Sequence, residues 1–303
     1  MLEDDLVKEI EELKQQRNAI VLVHNYQPGE IHRVADFRGD SLELSRKAAA
    51  TDAEVIVFSG VHFMAETAAI LSPQKTVVMP RVDAGCPMAD MVDPEGLAAL
   101  KAKHPDAVVV TYVNSTAAVK ALSDVCCTSA NAVKVVNSIP EDREVIFVPD
   151  QYLAMHVERL TGRELIKWPG FCPVHVRIRA EDIERARERF PEAEIWTHPE
   201  CLPEASSRAD FVLSTGQMVK RCAETEVQMV VVATELGMLY RLREERPDVT
   251  FVPATEQAVC VNMKLPDLRD VRRVLTELEP VVAVPEEIRA PAVAAVQRML
   301  ELG

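Results

Sequence analysis

The chain has 303 residues, of which 48 % are apolar and 27 % charged, a balance typical of a folded globular protein. Its formal net charge of −14 argues against nucleic acid or an anionic membrane surface as a partner, because both require a basic face. No apolar run approaches the length of a membrane span, and the acidic start MLEDDLVKEI is unlike a signal peptide, so we expect a cytoplasmic protein. An odd number of cysteines, seven, argues against a disulfide framework.

From the N-terminus onward, one pattern of helices and strands recurs three times. Each copy opens with a charged amphipathic helix: LEDDLVKEIEELKQQ, PEGLAALKAKH and AEDIERARERF. An apolar strand with a polar end follows: AIVLVHNY, AVVVTYVN and AEIWTHPE. A second, short strand ends in a hydroxyl and leads into a helix, at Ser41, Ser129 and Ser214-Thr215. A third strand precedes another helix, and a fourth runs into a loop that carries a cysteine.

Continuous apolar strands that alternate with helices indicate parallel sheets covered on both faces. We therefore predict an α/β fold of three homologous doubly wound units, each with αβα layers and about four strands joined by right-handed crossovers. The units would be arranged with pseudo-threefold symmetry around a central site. We place them at residues 1–86, 87–172 and 173–260, followed by C-terminal helices over residues 261–303 that pack on the core.

Each unit contributes one cysteine from the loop after its fourth strand. Cys86, Cys172 and Cys260 are 86 and 88 residues apart, and ligands of parallel sheets bind beyond the carboxyl ends of the strands. Thiolate sites favour zinc or iron–sulfur clusters, but structural zinc normally uses four ligands in closely spaced pairs, and the chain has no CxxC pair. Three cysteines suggest a [4Fe–4S] cluster with one open iron that binds substrate as a Lewis acid. We interpret the remaining cysteines as small apolar core residues: Cys126, Cys127, Cys201 and Cys222.

Two further layers of polar residues follow the same period. His24-Asn25-Tyr26 aligns with Tyr112-Val113-Asn114 and with His198-Pro199-Glu200, and the hydroxyls align as Ser41, Ser129 and Thr215. Taken singly, such hydroxyls are usually helix N-caps, and His24 or Glu200 could be an ordinary strand-end or turn residue. Repetition in register favours a site, because helix starts offer backbone N–H groups to carboxylates and phosphates.

A series of distinctive motifs occurs in order along nearly the whole chain: HNYQPGEI, ADFRGDSLELS, FMAETAAIL, AGCPMAD, YVNSTAAVKALSD, CTSANA, WPGFCPVH, THPEC, ADFVLSTGQM and CVNMK. In these motifs the chain resembles the quinolinate synthase family, in its three-cysteine [4Fe–4S] type. The resemblance implies that iminoaspartate (iminosuccinate) condenses with dihydroxyacetone phosphate, with loss of phosphate and two waters, to give quinolinate for NAD biosynthesis. It also implies an aspartate oxidase or dehydrogenase upstream as the source of iminoaspartate.

The resemblance further implies a role for individual residues. The cluster ligands would be Cys86, Cys172 and Cys260. The substrate-binding residues would be His24, Ser41, Tyr112, Asn114, Ser129, His198, Glu200, Ser214 and Thr215. The catalytic residues would be Tyr26, Glu200, His24 and His198, with Tyr26 and Glu200 transferring protons and His24 polarising a carbonyl.

Two other functions fit part of this pattern. A different [4Fe–4S] hydro-lyase, acting on a hydroxy-dicarboxylate, would share the cluster but would not need three phosphate-compatible helix starts. A non-enzymatic iron–sulfur redox sensor would require a fourth thiol ligand.

Overall fold

The computed structural model describes residues 3–303, which form three parallel four-stranded sheets and the helices between them. The first unit contains α1 (Glu3–Gln16), β1 (Ala19–His24), α2 (Gly29–His32), β2 (Phe37–Gly39), α3 (Ser41–Ala50), β3 (Val55–Ser59), α4 (His62–Leu71) and β4 (Thr76–Val78). The second contains α5 (Pro94–Lys103), β5 (Val108–Tyr112), α6 (Ala117–Lys120), β6 (Val125–Cys127), α7 (Ala132–Asn137), β7 (Val145–Val148), α8 (Gln151–Thr161) and β8 (Ile166–Lys167).

The third unit and the C-terminal segment complete the chain. They contain α9 (Ala180–Arg189), β9 (Glu194–Thr197), α10 (Pro203–Ser206), β10 (Phe211–Val212), α11 (Thr215–Glu224), β11 (Met229–Ala233), α12 (Met238–Glu245), β12 (Thr250–Pro253), α13 (Leu268–Glu277) and α14 (Glu286–Glu301). Short 3₁₀ helices follow the three cysteine loops, at Ala89–Met91, His175–Arg177 and Val261–Lys264.

The three sheets have the same strand order. In each sheet the first strand of the unit lies between the second and the third, and the fourth lies at the far edge: β2-β1-β3-β4, β6-β5-β7-β8 and β10-β9-β11-β12. The last paired residues of the central strands are equivalent: Val23–Ser59, Thr111–Val148 and Thr197–Ala233. The predicted α/β fold with three repeated units is confirmed. The unit boundaries at residues 86, 172 and 260 stay a prediction.

One large apolar core joins the three sheets. It includes Leu22 of the first sheet, Val110 of the second and Val232 of the third. The C-terminal helix α14 buries Ala295 and Met299 in this core and packs against β6, α6 and α4. The strands are buried on both faces, so polar side chains that bind a ligand are expected beyond the carboxyl ends of the strands. Within residues 3–303, no helix has both the length and the apolar character needed to cross a membrane.

Candidate metal and substrate site

A cavity of about 210 Å³ lies where the carboxyl ends of the three sheets meet. Its wall includes the first-strand ends of all three units, at His24, Tyr112 and His198. Apolar residues such as Phe63, Met64, Met88 and Met263 form much of the remaining wall. A cavity with an apolar wall and a few convergent polar groups is typical of a small-molecule site.

The three predicted cysteine ligands, Cys86, Cys172 and Cys260, all line this cavity and are half-buried. Burial raises the pKa of the Cys86 thiol to about 12, and the Glu200 charge and the neighbouring Cys260 act in the same direction. Burial likewise raises the pKa of Cys172 and Cys260. Without metal the thiols are therefore protonated, and metal binding must displace these protons.

The donor set fits a cluster with three protein ligands. The other cysteines are buried in the core, and none of them lines the cavity in the part of the chain that the structure describes: Cys126, Cys127, Cys201 and Cys222. A second group of side chains that could hold a metal shares Cys172 with the three-cysteine set. One ligand atom each from Cys172, His175 and Glu200 lies within 4.8 Å of the other two.

The predicted hydroxyls occupy two kinds of position. Ser41 and Thr215 are the first helical residues of α3 and α11 and line the cavity. The residues before them provide the caps: Asp40 accepts hydrogen bonds from Leu42 N and Glu43 N, and Ser214 Oγ accepts one from Gln217 N. Because Asp40 and Ser214 cap the helices, the hydroxyls of Ser41 and Thr215 need not do so.

The remaining two predicted hydroxyls lie differently. Ser129 lines the cavity from the turn before α7, next to Thr128, which also lines it. Ser214 was predicted to bind substrate, but it is fully buried as the cap of α11 and is not among the cavity-lining residues in the described chain. Its neighbour Thr215 provides the hydroxyl of that unit.

Glu200 is the centre of a buried hydrogen-bonded group. Its Oε2 lies 2.8 Å from His175 Nδ1 and 3.9 Å from His198 Nδ1. Its Oε1 accepts a 2.5 Å hydrogen bond from the Tyr112 hydroxyl. The stacked rings of His175 and His198 have centroids 4.6 Å apart. The predicted residues Tyr112, His198 and Glu200 are thus brought together.

Tyr26 is linked to the same group through Thr234. The Tyr26 hydroxyl lies 2.6 Å from Thr234 Oγ1, which lies 2.8 Å from His175 Nε2. The ring of His24 makes an edge contact with Tyr26, with centroids 4.8 Å apart. Asn114 lines the cavity, and its Oδ1 is buried without a hydrogen-bond partner among residues 3–303. Such an orphaned acceptor is a candidate contact for a bound molecule.

Burial and charge divide these groups by protonation state. Burial raises the pKa of Glu200, but His175, His198 and the Tyr112 hydroxyl outweigh it, so the pKa falls to about 2. Burial lowers the pKa of His24 and of His198 to about 3. Burial and the Glu200 charge raise the pKa of Tyr26 and Tyr112 well above 10.0. At neutral pH the cavity therefore holds a charged Glu200, neutral His24 and His198, and two phenols that can donate hydrogen bonds.

Four titratable residues that line the cavity were not predicted: His175, Arg177, Glu235 and Asp40. A comparison of the repeats could have identified His175. The residues three positions after the cysteines are Ala89, His175 and Met263, so only the second copy has a titratable group there. Arg177 is exposed and is the one Lys or Arg among the described residues that line the cavity. We therefore place the mouth of the cavity at Arg177.

Together, the fold and site define a three-unit α/β protein with a small-molecule cavity lined by three thiols that could hold a metal. The family model described as "Quinolinate synthetase A protein" matches residues 8–301. A quinolinate synthase of Dehalococcoides mccartyi is 58 % identical over 293 residues, which cover 97 % of each chain. A quinolinate synthase of Geotalea uraniireducens is 52 % identical over 302 residues, covering 100 % of this chain and 99 % of the relative. The chain belongs to the quinolinate synthase family, and this membership implies an iron–sulfur cluster.

Proposed function

We propose that this chain condenses iminoaspartate (iminosuccinate) with dihydroxyacetone phosphate to give quinolinate, phosphate and two waters, as a transferase of NAD biosynthesis. The observation that carries this proposal is the placement of three cysteines and three polar strand ends on the wall of one cavity, in a chain of this family. Iminoaspartate would come from an oxidase or dehydrogenase that acts on aspartate.

Cys86, Cys172 and Cys260 would hold a [4Fe–4S] cluster with one open iron position. When bound, such a cluster supplies a Lewis acid that assists the loss of hydroxyl groups as water. The apolar wall around the thiols, with Met88 and Val259 among its members, limits the access of bulk water. A dry wall of this kind strengthens the electrostatic interactions inside the cavity.

Both proposed substrates are anions, and the chain's own charge of −14 repels them. Local groups must therefore provide the attraction. Ser41 and Thr215 present hydroxyls at the N-termini of ten-residue helices, where backbone N–H groups favour carboxylates and phosphates. Ser129 adds a hydroxyl donor in the second unit, where the orphaned amide oxygen of Asn114 can accept a hydrogen bond from a substrate hydroxyl or N–H group. Arg177 at the mouth is placed to attract an incoming anion.

Proton transfer would fall to the group around Glu200. A charged carboxylate can accept a proton from a substrate carbon or nitrogen, and the Tyr112 phenol, 2.5 Å away, holds it in place by a charge-assisted hydrogen bond. Tyr26 can donate its phenolic proton and recover one through Thr234 and His175. The neutral ring of His24 can polarise a carbonyl, and neutral His198 can hold a carboxylate by an N–H donor.

The proposal is tested with protein prepared without oxygen and supplied with iminoaspartate and dihydroxyacetone phosphate. Wild-type protein should form quinolinate, whereas Cys86→Ser, Cys172→Ser and Cys260→Ser should each lose iron and activity. Cys222→Ser is the matched control, because this thiol is buried in the core away from the cavity. An intact cluster without quinolinate formation would contradict the proposal and favour a different hydro-lyase. Cluster loss in the Cys222 variant would favour a sensor with a fourth thiol ligand.

A further inference from the structure

Glu235 is a buried carboxylate beside one of the cysteine loops, and none of the functions proposed above uses it. It lies two residues beyond β11 and is 1 % exposed. Its Oε1 accepts a 3.0 Å hydrogen bond from the backbone N–H of Cys260. Its Oε2 accepts a 2.7 Å hydrogen bond from Gly237 N and lies 2.9 Å from Lys264 Nζ. A carboxylate held by this many donors has one fixed orientation.

Lys264 extends this contact to another unit. Its ammonium group donates a second hydrogen bond to the backbone carbonyl oxygen of Tyr26. The Tyr26 backbone also passes directly over Gly237, where an added Cβ would lie 2.3 Å from Tyr26 O. One ion pair therefore joins the loop of a proposed cluster ligand, Cys260, to the loop of a proposed proton donor, Tyr26.

The repeat shows a related arrangement in the second unit. The position equivalent to Glu235, two residues beyond the last paired residue of the third strand, is Asp150 in unit two and Val61 in unit one. Asp150 is fully buried, and its Oδ1 accepts 2.8 Å hydrogen bonds from the backbone N–H groups of Tyr152 and Leu153. Two of the three units thus carry a buried acidic residue at this position, and in the third unit it contacts the backbone N–H of a proposed cluster ligand.

We propose that Glu235 and Lys264 form a positioning pair that fixes Cys260 against Tyr26 and sets the electrostatic environment of the cluster at its Cys260 side. This inference rests on the proposed function, because it assigns Cys260 to the cluster. Glu235 also engages the Cys260 N–H, which is then not free to donate to sulfur. Both hydrogen bonding to the sulfurs and nearby charge set the reduction potential of such clusters.

The two members of the pair predict shifts of opposite sign. Glu235→Gln removes a negative charge and leaves the Lys264 ammonium uncompensated, so the reduction potential should rise. Lys264→Met removes the positive charge and leaves Glu235 uncompensated, so the potential should fall. A purely structural role would not reverse the sign between the two variants. The matched control is Glu256→Gln, which makes the same charge change at an exposed position of the Cys260 loop.

The experiment is a redox titration of the cluster-loaded full chain, followed by electron paramagnetic resonance, with iron content measured for each variant. We expect a higher potential for Glu235→Gln, a lower one for Lys264→Met and the wild-type value for Glu256→Gln. If Glu235→Gln lost iron while Lys264→Met and Glu256→Gln kept it, this result would also support a role of Glu235 in positioning Cys260. The reduction potential of the Lys264→Met cluster would then be the remaining test. Intact clusters with unshifted potentials in both variants would overturn this inference alone. A wild-type chain that binds no cluster would overturn the proposed function as well.

Discussion

His175 Nδ1 lies 2.8 Å from Glu200 Oε2, and the same nitrogen lies 3.2 Å from the sulfur of Cys172. The other ring nitrogen lies 2.8 Å from Thr234 Oγ1. One imidazole therefore contacts a proposed cluster ligand, the central carboxylate and the hydroxyl that leads to Tyr26. It orients the proposed acid–base group and keeps Glu200 charged.

Replacing His175 should lower the turnover rate and change its pH dependence. In His175→Asn, Glu200 loses the largest of the interactions that oppose the effect of burial on its pKa, so this pKa should rise above about 2. The carboxylate must be charged to accept a proton, so the acid limb of the kcat profile should move to higher pH. We expect kcat to fall by about 10²-fold or more, the usual contribution of a positioned acid–base group.

The measurement is the pH profile of quinolinate formation, with iron content as a check on the cluster. His104→Asn is the control, because His104 pairs with Glu144 and does not line the cavity. If His175→Asn kept the wild-type acid limb with a full complement of iron, the assigned role of His175 would be wrong.

Arg177→Gln should weaken substrate capture more than turnover. Arg177 is the cationic residue of the cavity mouth, and a rim charge acts mainly on the rate of encounter with a charged partner. We expect kcat/KM for dihydroxyacetone phosphate to fall severalfold at low ionic strength with kcat nearly unchanged. The difference from wild type should shrink as salt is added, since an ionic strength of about 0.1 M screens charges beyond about 10 Å.

Arg179→Gln provides the comparison, because it makes the same charge change at an exposed residue two positions away that does not line the cavity. Equal values of kcat/KM for the two variants at every ionic strength would exclude a steering role for Arg177.

Asp40→Asn should stabilise the protein at neutral pH and lose this effect in acid. Burial, aided by the Glu43 charge, raises the pKa of Asp40 from 3.8 to about 6. A raised carboxyl pKa means that the folded chain holds the proton more tightly than the unfolded chain does. Ionisation of Asp40 therefore opposes folding fully above pH 6, and progressively less as the pH falls towards 4.

Asparagine caps helices about as well as aspartate, so the substitution removes the charge and keeps the cap. We expect a gain of about 3 kcal/mol in the free energy of unfolding at pH 7, measured by denaturant titration, that vanishes near pH 4. Asp93→Asn is the matched control, because it makes the same change at the exposed cap of α5. A gain for Asp40→Asn that stayed constant from pH 4 to pH 7 would contradict this explanation.

The fold was predictable because its determinants are local and repeated. Continuous apolar strands such as Val55–Ser59 and Val145–Val148 indicate a buried parallel sheet without any knowledge of their neighbours. The nearly equal spacings from Cys86 to Cys172 and from Cys172 to Cys260 then aligned the strand ends. Residues at the carboxyl ends of equivalent strands, such as His24 and His198, could thus be assigned to one cavity before any contact was known.

Other parts of the site depend on geometry that a linear pattern does not contain. Ser214 and Thr215 are adjacent hydroxyl residues, and the residue at which α11 begins decides which of them is the N-cap. A shift of that start by one residue would exchange their roles. His175 reaches Glu200 because a 3₁₀ turn follows Cys172. Glu235 pairs with Lys264 across 29 residues of sequence, a contact that only the packing of two loops creates.

The central claim is that Cys86, Cys172 and Cys260 hold a four-iron cluster whose fourth iron faces the substrate cavity. Mössbauer spectroscopy of the ⁵⁷Fe-loaded protein, with and without quinolinate, tests this claim most directly. We predict that quinolinate changes the parameters of one iron in four and leaves the other three unaltered. A spectrum that quinolinate does not change, or four equivalent cysteine-bound irons, would contradict the claim.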